Sequence, residues 1–133
     1  MSDGAVDEEL TSFYRRYNAR CNAQEFDTLA EFVATEVVVN GELQGLRAYV
    51  EGLEAVVRAF PDYRWDLRHL LVDGCWISAH FLDTGTHRDV FLGVPATGRT
   101  VSTQEFAVYR IDGGKIVEVW VAADNLRLLG QLS

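Results

Sequence analysis

The sequence contains few of the basic and sulfur-bearing residues on which several large function classes depend. Lysine occurs once, at Lys115, and 12 Lys and Arg residues against 20 Asp and Glu give a net charge of −8. A nucleic-acid-binding surface needs a basic face, so we expect no nucleic-acid partner. Cys21 and Cys75 are too few for a disulfide framework and are expected to be small buried residues.

Several motifs of metal and cofactor chemistry are also missing. The three histidines form no HxH or HExxH spacing, and no CxxC, GxGxxG, GxSxG or P-loop motif occurs. No run of ~18 apolar residues could span a membrane, and the acidic start MSDGAVDEEL lacks the basic segment of a signal peptide. We therefore expect a cytoplasmic protein without membrane contact or a structural zinc site, and no motif points to nucleotide, flavin or hydrolase-elbow chemistry.

What the sequence does contain is an ordinary globular balance. Of the 133 residues, 48% are apolar and 24% are charged, which predicts a single domain over residues 1–133. Apolar residues recur every three or four positions through residues 6–21, 26–33 and 46–60, and this period is typical of amphipathic helices. Pro61 ends the third of these helices.

The other segments have the pattern of strands. Asp73-Gly74 is a strong hairpin signal between two of them, and Asp124 is placed to cap a last helix. Helices followed by antiparallel strands predict an α+β fold, in which helices cover a strongly curved antiparallel sheet that encloses an apolar cavity. The predicted strands are residues 36–40, 63–72, 75–86, 100–111 and 115–123.

Side-chain alternation divides the last two strands into two faces. Glu105 and Ala107 share one face of the first, and Val121 lies on one face of the second, and we assign these residues to the cavity. The opposite face is too apolar to be left in solvent, so we expect it to form a homodimer. The residues assigned to that interface are Phe106, Val108, Ile116 and Trp120.

Several stretches, taken in order, resemble the SnoaL-like polyketide cyclases of the NTF2-like superfamily. They run from about residue 10 to the C-terminus: FYRRYNARCNAQEFDTLAEFVATEVVVNG, AFPDYRWDL, TGTHRDVFLGVPATGRTV, FAVYRIDGGKIVEVW and DNLRLLGQL. The resemblance implies an NTF2-like cone, an α+β barrel with an internal apolar cavity. It also implies activity on aromatic polyketide intermediates without metal or organic cofactor.

The resemblance also points to two positions of the cyclase reaction. In the similar cyclases, an Asp on the last strand and a His on the neighbouring strand run an intramolecular aldol closure, which needs a base and a donor for the enolate oxygen. These positions correspond to Val121 and Ala107, neither of which can exchange a proton.

The loss of both groups favours another branch of the family, the cofactor-free anthracycline hydroxylases. In that reading an electron-rich polyphenol, once deprotonated, reduces dioxygen itself, and the protein supplies a dry cavity, a base and orientation. Two alternatives stay open. One is a polyketide cyclase that uses Glu105 as its base, and the other is a non-catalytic NTF2-like binding or dimerisation module.

Three residues are candidates for catalysis. Glu105 is expected to be the base, because a carboxylate in an apolar cavity suits that role. Asp83 has inward parity and is expected as a second cavity carboxylate, while His87 closes the TGTH motif and could hold a substrate oxygen or orient Glu105. The alternatives are a solvated or interface Glu105, an Asp83 that faces water or pairs with an Arg, and a His87 that packs the strand end.

The walls of the cavity are expected to be aromatic. Trp65 is placed to stack on a planar ring, and Tyr14, Tyr17 and Phe60 on the helices form the opposite wall. Plain core packing would explain each of these residues as well. The remaining substrate-binding candidates are Asn40, at the cavity mouth, and the two positions Ala107 and Val121.

Overall fold

The computed structural model describes residues 3–133, and none of their helices is long and apolar enough to cross a membrane. A 3-10 helix covers Phe26–Glu31. The α-helices are α1 (Asp3–Asn22), α2 (Leu46–Ala59) and α3 (Asn125–Gln131). The strands are β1 (Val33–Val39), β2 (Glu42–Leu43), β3 (Arg64–Asp73), β4 (Trp76–Thr86), β5 (Thr100–Asp112) and β6 (Lys115–Ala123).

The predicted element ends agree with the local chemistry of the chain. α2 ends at Ala59, and Phe60 leaves the helical region with φ −131° and ψ 83° because a proline follows it. The side chain of Asp124 accepts a hydrogen bond from the Arg127 backbone N–H at 3.1 Å and so caps α3 as predicted. The second predicted helix is a six-residue 3-10 helix, since the chain already enters β1 at Val33.

The six strands form one sheet in the order β2-β1-β6-β5-β4-β3. β3 to β6 form the expected antiparallel meander, whereas β1 runs parallel to β6. The α+β class, with helices packed on one sheet, is confirmed. The sheet is mixed rather than wholly antiparallel, and it does not close into a barrel because β2 and β3 remain at its edges.

One predicted interface residue lies on the wrong side of the sheet. Ile116 is fully buried in the core, although its parity placed it on the outer face with Trp120. The pairing of β6 with β5 shifts by one residue, because Arg110 faces Glu118 while Ile111 faces Ile116. Val117 is therefore an extra residue, a β-bulge, and it reverses the alternation of β6.

The helices cover the concave face of the sheet and leave a space over its middle. α1 packs on β3, α2 packs on β1 and on the 3-10 helix, and α3 packs on β5. The rings of Tyr14 and Tyr109 join α1 to β5 at a centroid distance of 4.9 Å. Beside them, the ring of Tyr14 lies 6.3 Å from that of Phe81 on β4. These contacts define the floor and one wall of a cavity.

Candidate active site

A cavity of about 110 Å³ lies between α1, α2 and the concave face of the sheet. An apolar cavity of roughly 150 Å³ is enough to bind benzene, so this space suits about one ring of a larger molecule. Half-exposed Asn18, Leu53 and Val121 stand at its edge and form the mouth. The full lining is Tyr14, Tyr17, Asn18, Cys21, Tyr49, Leu53, Trp65, Phe81, Glu105, Tyr109, Val119 and Val121.

Glu105 is the acidic side chain among these lining residues. It is half-buried on β5, where its backbone position pairs with Phe81 of β4 and Ala123 of β6. The alternation of β5 sends Glu105 to the same side as buried Thr103 and Ala107. The structure thus brings Glu105, Trp65, Tyr14, Tyr17 and Val121 together around one cavity, as the sequence predicted for these five residues.

Asp83 lies beside Glu105 but does not line the cavity. Its side chain is 0% exposed, and the Tyr63 hydroxyl donates a hydrogen bond to its Oδ2 at 3.0 Å. Burial and the adjacent Glu105 carboxyl group together raise the pKa of Asp83 far above its ordinary value. The expected second cavity carboxylate is instead a buried acid, because Tyr63 binds it and Trp65 occupies the facing position of β3.

Four phenols form the polar part of the cavity wall. The Tyr14 hydroxyl donates to the Tyr109 hydroxyl at 2.8 Å, and the hydroxyls of Tyr17 and Tyr49 share a second hydrogen bond. Burial raises the pKa of all four phenols, so each keeps its proton at neutral pH. Since each pair uses one proton internally, one hydroxyl proton per pair remains for a ligand oxygen.

Cys21 completes this wall beside Tyr17. Burial raises the pKa of the Cys21 thiol to about 12, so the sulfur is a neutral lining group rather than a nucleophile. Tyr49, Tyr109 and Cys21 line the cavity although they were not predicted as site residues. The inward parity that Tyr109 shares with Glu105 was a usable signal for Tyr109.

His87 and Phe60 are buried outside the cavity. Nδ1 of His87 accepts a hydrogen bond from the Thr97 backbone N–H at 3.2 Å, and its ring lies 5.4 Å from that of Phe60. Phe60 lies at this end of the sheet because the chain turns there from α2 toward Pro61. It packs so closely on Gly85 that a Cβ atom added to this glycine would lie only 2.9 Å from the Phe60 Cβ. Both residues fix the loop after β4 and neither contacts the cavity.

Asn40 and Ala107 also lie outside the cavity lining. Asn40 is exposed in the turn between β1 and β2, where its φ is 51°. Its side-chain Oδ1 accepts a hydrogen bond from the Val121 backbone N–H at 2.9 Å, so it ties the turn to β6. Ala107 has inward parity and is buried, but its methyl group is too short to reach the space that Tyr109 and Glu105 border.

The described part of the chain contains no evident set of metal ligands. No group of three or more His, Cys, Asp or Glu side chains among residues 3–133 is arranged to hold a metal ion. The other two histidines lie on the convex face, where Nδ1 of His69 and Nδ1 of His80 are 2.9 Å apart.

Comparison with known proteins identifies the family. The sequence model of the SnoaL-like polyketide cyclases matches residues 11–132. A SnoaL-like polyketide cyclase from Agrobacterium tumefaciens is 31% identical, with a TM-score of 0.84 over 93% of this chain and 98% of that one. None of the curated protein sequences matches the chain.

Two more distant structures share the fold. IdmH from Streptomyces antibioticus, a proposed polyketide cyclase, is 24% identical, with a TM-score of 0.83 over 92% of this chain and 96% of that one. AclR from Streptomyces galilaeus, a proposed hydroxylase, is 23% identical, with a TM-score of 0.85 over 94% of this chain and 96% of that one. With the family match over residues 11–132, the resemblance seen in the motifs is confirmed: the chain belongs to the SnoaL-like polyketide cyclase family.

Proposed function

We propose that the chain is an enzyme that hydroxylates an aromatic polyketide of the anthracycline type without a metal or organic cofactor. The observation that carries this proposal is the Glu105 carboxylate at the wall of an apolar, phenol-lined cavity. Such a carboxylate can take a proton from an acidic carbon of a polyphenol. The cavity suits the reacting ring, and the other rings of the substrate would lie in the mouth.

Removal of the proton leaves negative charge on a substrate oxygen. The two phenol pairs hold one free hydroxyl proton each, and both pairs border the same space as Glu105. Their hydrogen bonds would stabilise this oxyanion in an environment that excludes most water. Base and oxyanion donors therefore border one cavity, as carbon-acid chemistry requires.

The fate of the carbanion separates the two reactions known for such substrates. Val121 lines the cavity and Ala107 is buried. Because neither side chain can exchange a proton, the acid–base pair expected of the similar aldol cyclases is missing. A carbanion left in this cavity can add dioxygen to give a carbon hydroperoxide. Loss of water then leaves a carbonyl at that carbon, with one oxygen atom in the product and the other in water, and needs no outside reductant. Where a neighbouring ring carbon carries a hydrogen, this carbonyl enolises to the new phenolic hydroxyl group.

A polyketide cyclase is the second candidate. The observation in its favour is the 31% identity to the SnoaL-like polyketide cyclase from Agrobacterium tumefaciens. The first step would be the same proton removal by Glu105, but the carbanion would attack a carbonyl carbon of its own chain. Both candidates therefore share the base and differ only in whether dioxygen is consumed.

Oxygen uptake by the purified, chelator-treated protein tests the proposal. A dihydroxyanthrone is a suitable probe, because its ring CH₂ is acidic and it can place one ring in the cavity. We expect uptake of one dioxygen per molecule of product above the rate without protein, and no product under argon. Equal turnover of a linear polyketide substrate under argon would establish the cyclase instead, and no turnover of either compound would contradict both enzymes.

We also propose that the convex face of the sheet pairs with a second copy of the chain. Phe106 is 58% exposed and Trp120 is 46% exposed there, and Val108 lies beside them. Phe106 also stacks on His80 at a centroid distance of 4.7 Å, which extends the aromatic surface across β4. An exposed patch of this kind is typical of protein interfaces.

Phe106→Glu is expected to convert the protein from dimer to monomer, because a charge at the centre of the patch would be buried against its copy. Sedimentation velocity at several concentrations measures the change. Leu126→Glu is the matched control, since Leu126 is 84% exposed on α3, away from the convex face. A monomeric parent protein, or the same effect from both variants, would contradict the interface.

A further inference from the structure

The two carboxyl groups of the site form a side-by-side pair on the concave face. Phe81 pairs with Glu105 and Asp83 pairs with Thr103 in the β4–β5 ladder, so Asp83 and Glu105 are diagonal neighbours on one face. Glu105 reaches the cavity, whereas Asp83 has no exposed surface. The pair thus has an outer member that can touch a substrate and an inner member that cannot.

The hydrogen bonds around this pair leave one atom without a donor. Tyr63 donates to Oδ2 of Asp83, while Oδ1 of Asp83 is buried and receives no hydrogen bond from the protein. A hydrogen bond between two carboxyl groups needs a proton on one of them, and Oδ1 is the free atom that can carry it. Asp83 then becomes a donor to Glu105 and no buried atom of the pair stays unpaired.

The charges nearby support the same distribution of protons. The ion pairs within residues 3–133 are Arg20–Glu31, Arg47–Glu51, Arg68–Asp66 and Arg110–Glu118, none of which includes a member of this pair. The titratable groups that interact with the pair are Tyr63, three of the cavity phenols (Tyr14, Tyr49 and Tyr109) and Cys21, all neutral at pH 7. Two adjacent carboxyl groups without a cation cannot both ionise, so the buried one keeps its proton.

We infer that Asp83 is a positioning residue for the base: as a neutral acid held by Tyr63, it donates a hydrogen bond to Glu105 and fixes the orientation of that carboxylate toward the cavity. The inference rests on the proposed role of Glu105. Because Asp83 uses one lone pair of Glu105, the carboxylate keeps its other acceptor sites for the substrate proton. The negative charge stays on the carboxyl group that meets the substrate.

A carboxyl-carbon NMR titration of the ligand-free protein tests the proton distribution without any substrate. We expect the Asp83 carbon to keep the chemical shift of a protonated acid at pH 7, while exposed Asp62 serves as an ionised reference in the same spectrum. In Glu105→Gln, the midpoint of Asp83 should fall, since the charge that opposes its ionisation is gone. An ionised Asp83 at pH 7, or a midpoint that Glu105→Gln leaves unchanged, would overturn the inference.

Two variants of Asp83 test the positioning role through turnover. Asp83→Leu removes the donor to Glu105 and should cost about 10–100-fold, the range found when a metal-binding side chain loses the hydrogen-bond partner that orients it. Asp83→Asn keeps a donor for Glu105 and an acceptor for Tyr63, so it should recover most of that loss. Equal losses in both variants, or full activity in both, would contradict positioning.

The pH profile separates positioning from a purely structural role. In the parent protein, activity should fall at alkaline pH as Asp83 ionises next to Glu105, and Asp83→Asn should lack this fall. An alkaline limb that persists unchanged in Asp83→Asn would refute the inference. If Glu105→Gln keeps full turnover while the NMR result holds, the proposed function fails and the proton distribution stands.

Discussion

Replacing Glu105 with glutamine is expected to lower kcat by about 10²–10⁴-fold, the usual contribution of a positioned general base. Glutamine has the same shape but cannot accept a proton from a carbon acid. Glu105 is the acidic side chain in the cavity lining. The other polar groups there are neutral phenols, a neutral thiol, the Asn18 amide and the Trp65 indole, so no substitute base lies within that lining. The loss should appear in kcat with little change in the binding of a product analogue.

Steady-state kinetics with the substrate that the oxygen-uptake experiment selects will measure this effect. Glu36→Gln is the matched control, because Glu36 is exposed on β1 and does not line the cavity. The control should keep parental kcat and KM. Unchanged kcat in Glu105→Gln would remove Glu105 as the base and with it the proposed chemistry, whichever of the two reactions is tested.

The elements that the sequence predicted well are those whose signals are local. Asp73-Gly74 determines a hairpin by its own backbone preference, and the β6 bounds, Lys115–Ala123, match the predicted residues 115–123. The parallel pairing of β1 with β6 has no such signal, because most of the chain lies between these two strands in the sequence. The bulge at Val117 also depends on the pairing of β6 with its neighbours, so the alternation of Ile116 was misleading.

The same distinction applies to the candidate site. Period-two alternation identifies the face on which Glu105 and Asp83 lie, and both do lie on the concave face. Alternation does not show how deeply a side chain on that face is buried. Only the packing of Tyr63 in the folded chain shows that Asp83 is enclosed. Tyr49 was missed for a related reason, because an aromatic residue on the apolar face of a helix looks the same whether it meets another core residue or a cavity.

Asp83→Asn is expected to make the protein more stable than its parent, by a margin that grows with pH. In the folded chain the pKa of Asp83 is raised by burial and by Glu105, whereas in the unfolded chain it returns to about 3.9. From there up to the raised folded pKa, the folded state holds a proton that the unfolded state has lost. Raising the pH through this window therefore destabilises the parent, by about 1.4 kcal/mol per pH unit.

Asparagine removes this linkage, because it does not titrate and can still accept from Tyr63. Chemical denaturation of parent and variant at a series of pH values from 5 to 8 measures the difference between their unfolding free energies. Asp62→Asn is the control: hydrogen bonds from Thr86 lower the pKa of Asp62, so its contribution is fully present from pH 5 to 8, and this variant should be less stable than the parent by a margin that does not change across the series.

A difference in unfolding free energy between parent and Asp83→Asn that does not change with pH would mean that Asp83 ionises as readily in the folded chain as in the unfolded one. A gap that widens toward alkaline pH would mean that the fold retains a buried acid at a cost in stability. Such a cost is common where a group serves a reaction rather than the packing of the core. Since asparagine fits the same hydrogen bonds, stability alone gives no reason for an acid at this position.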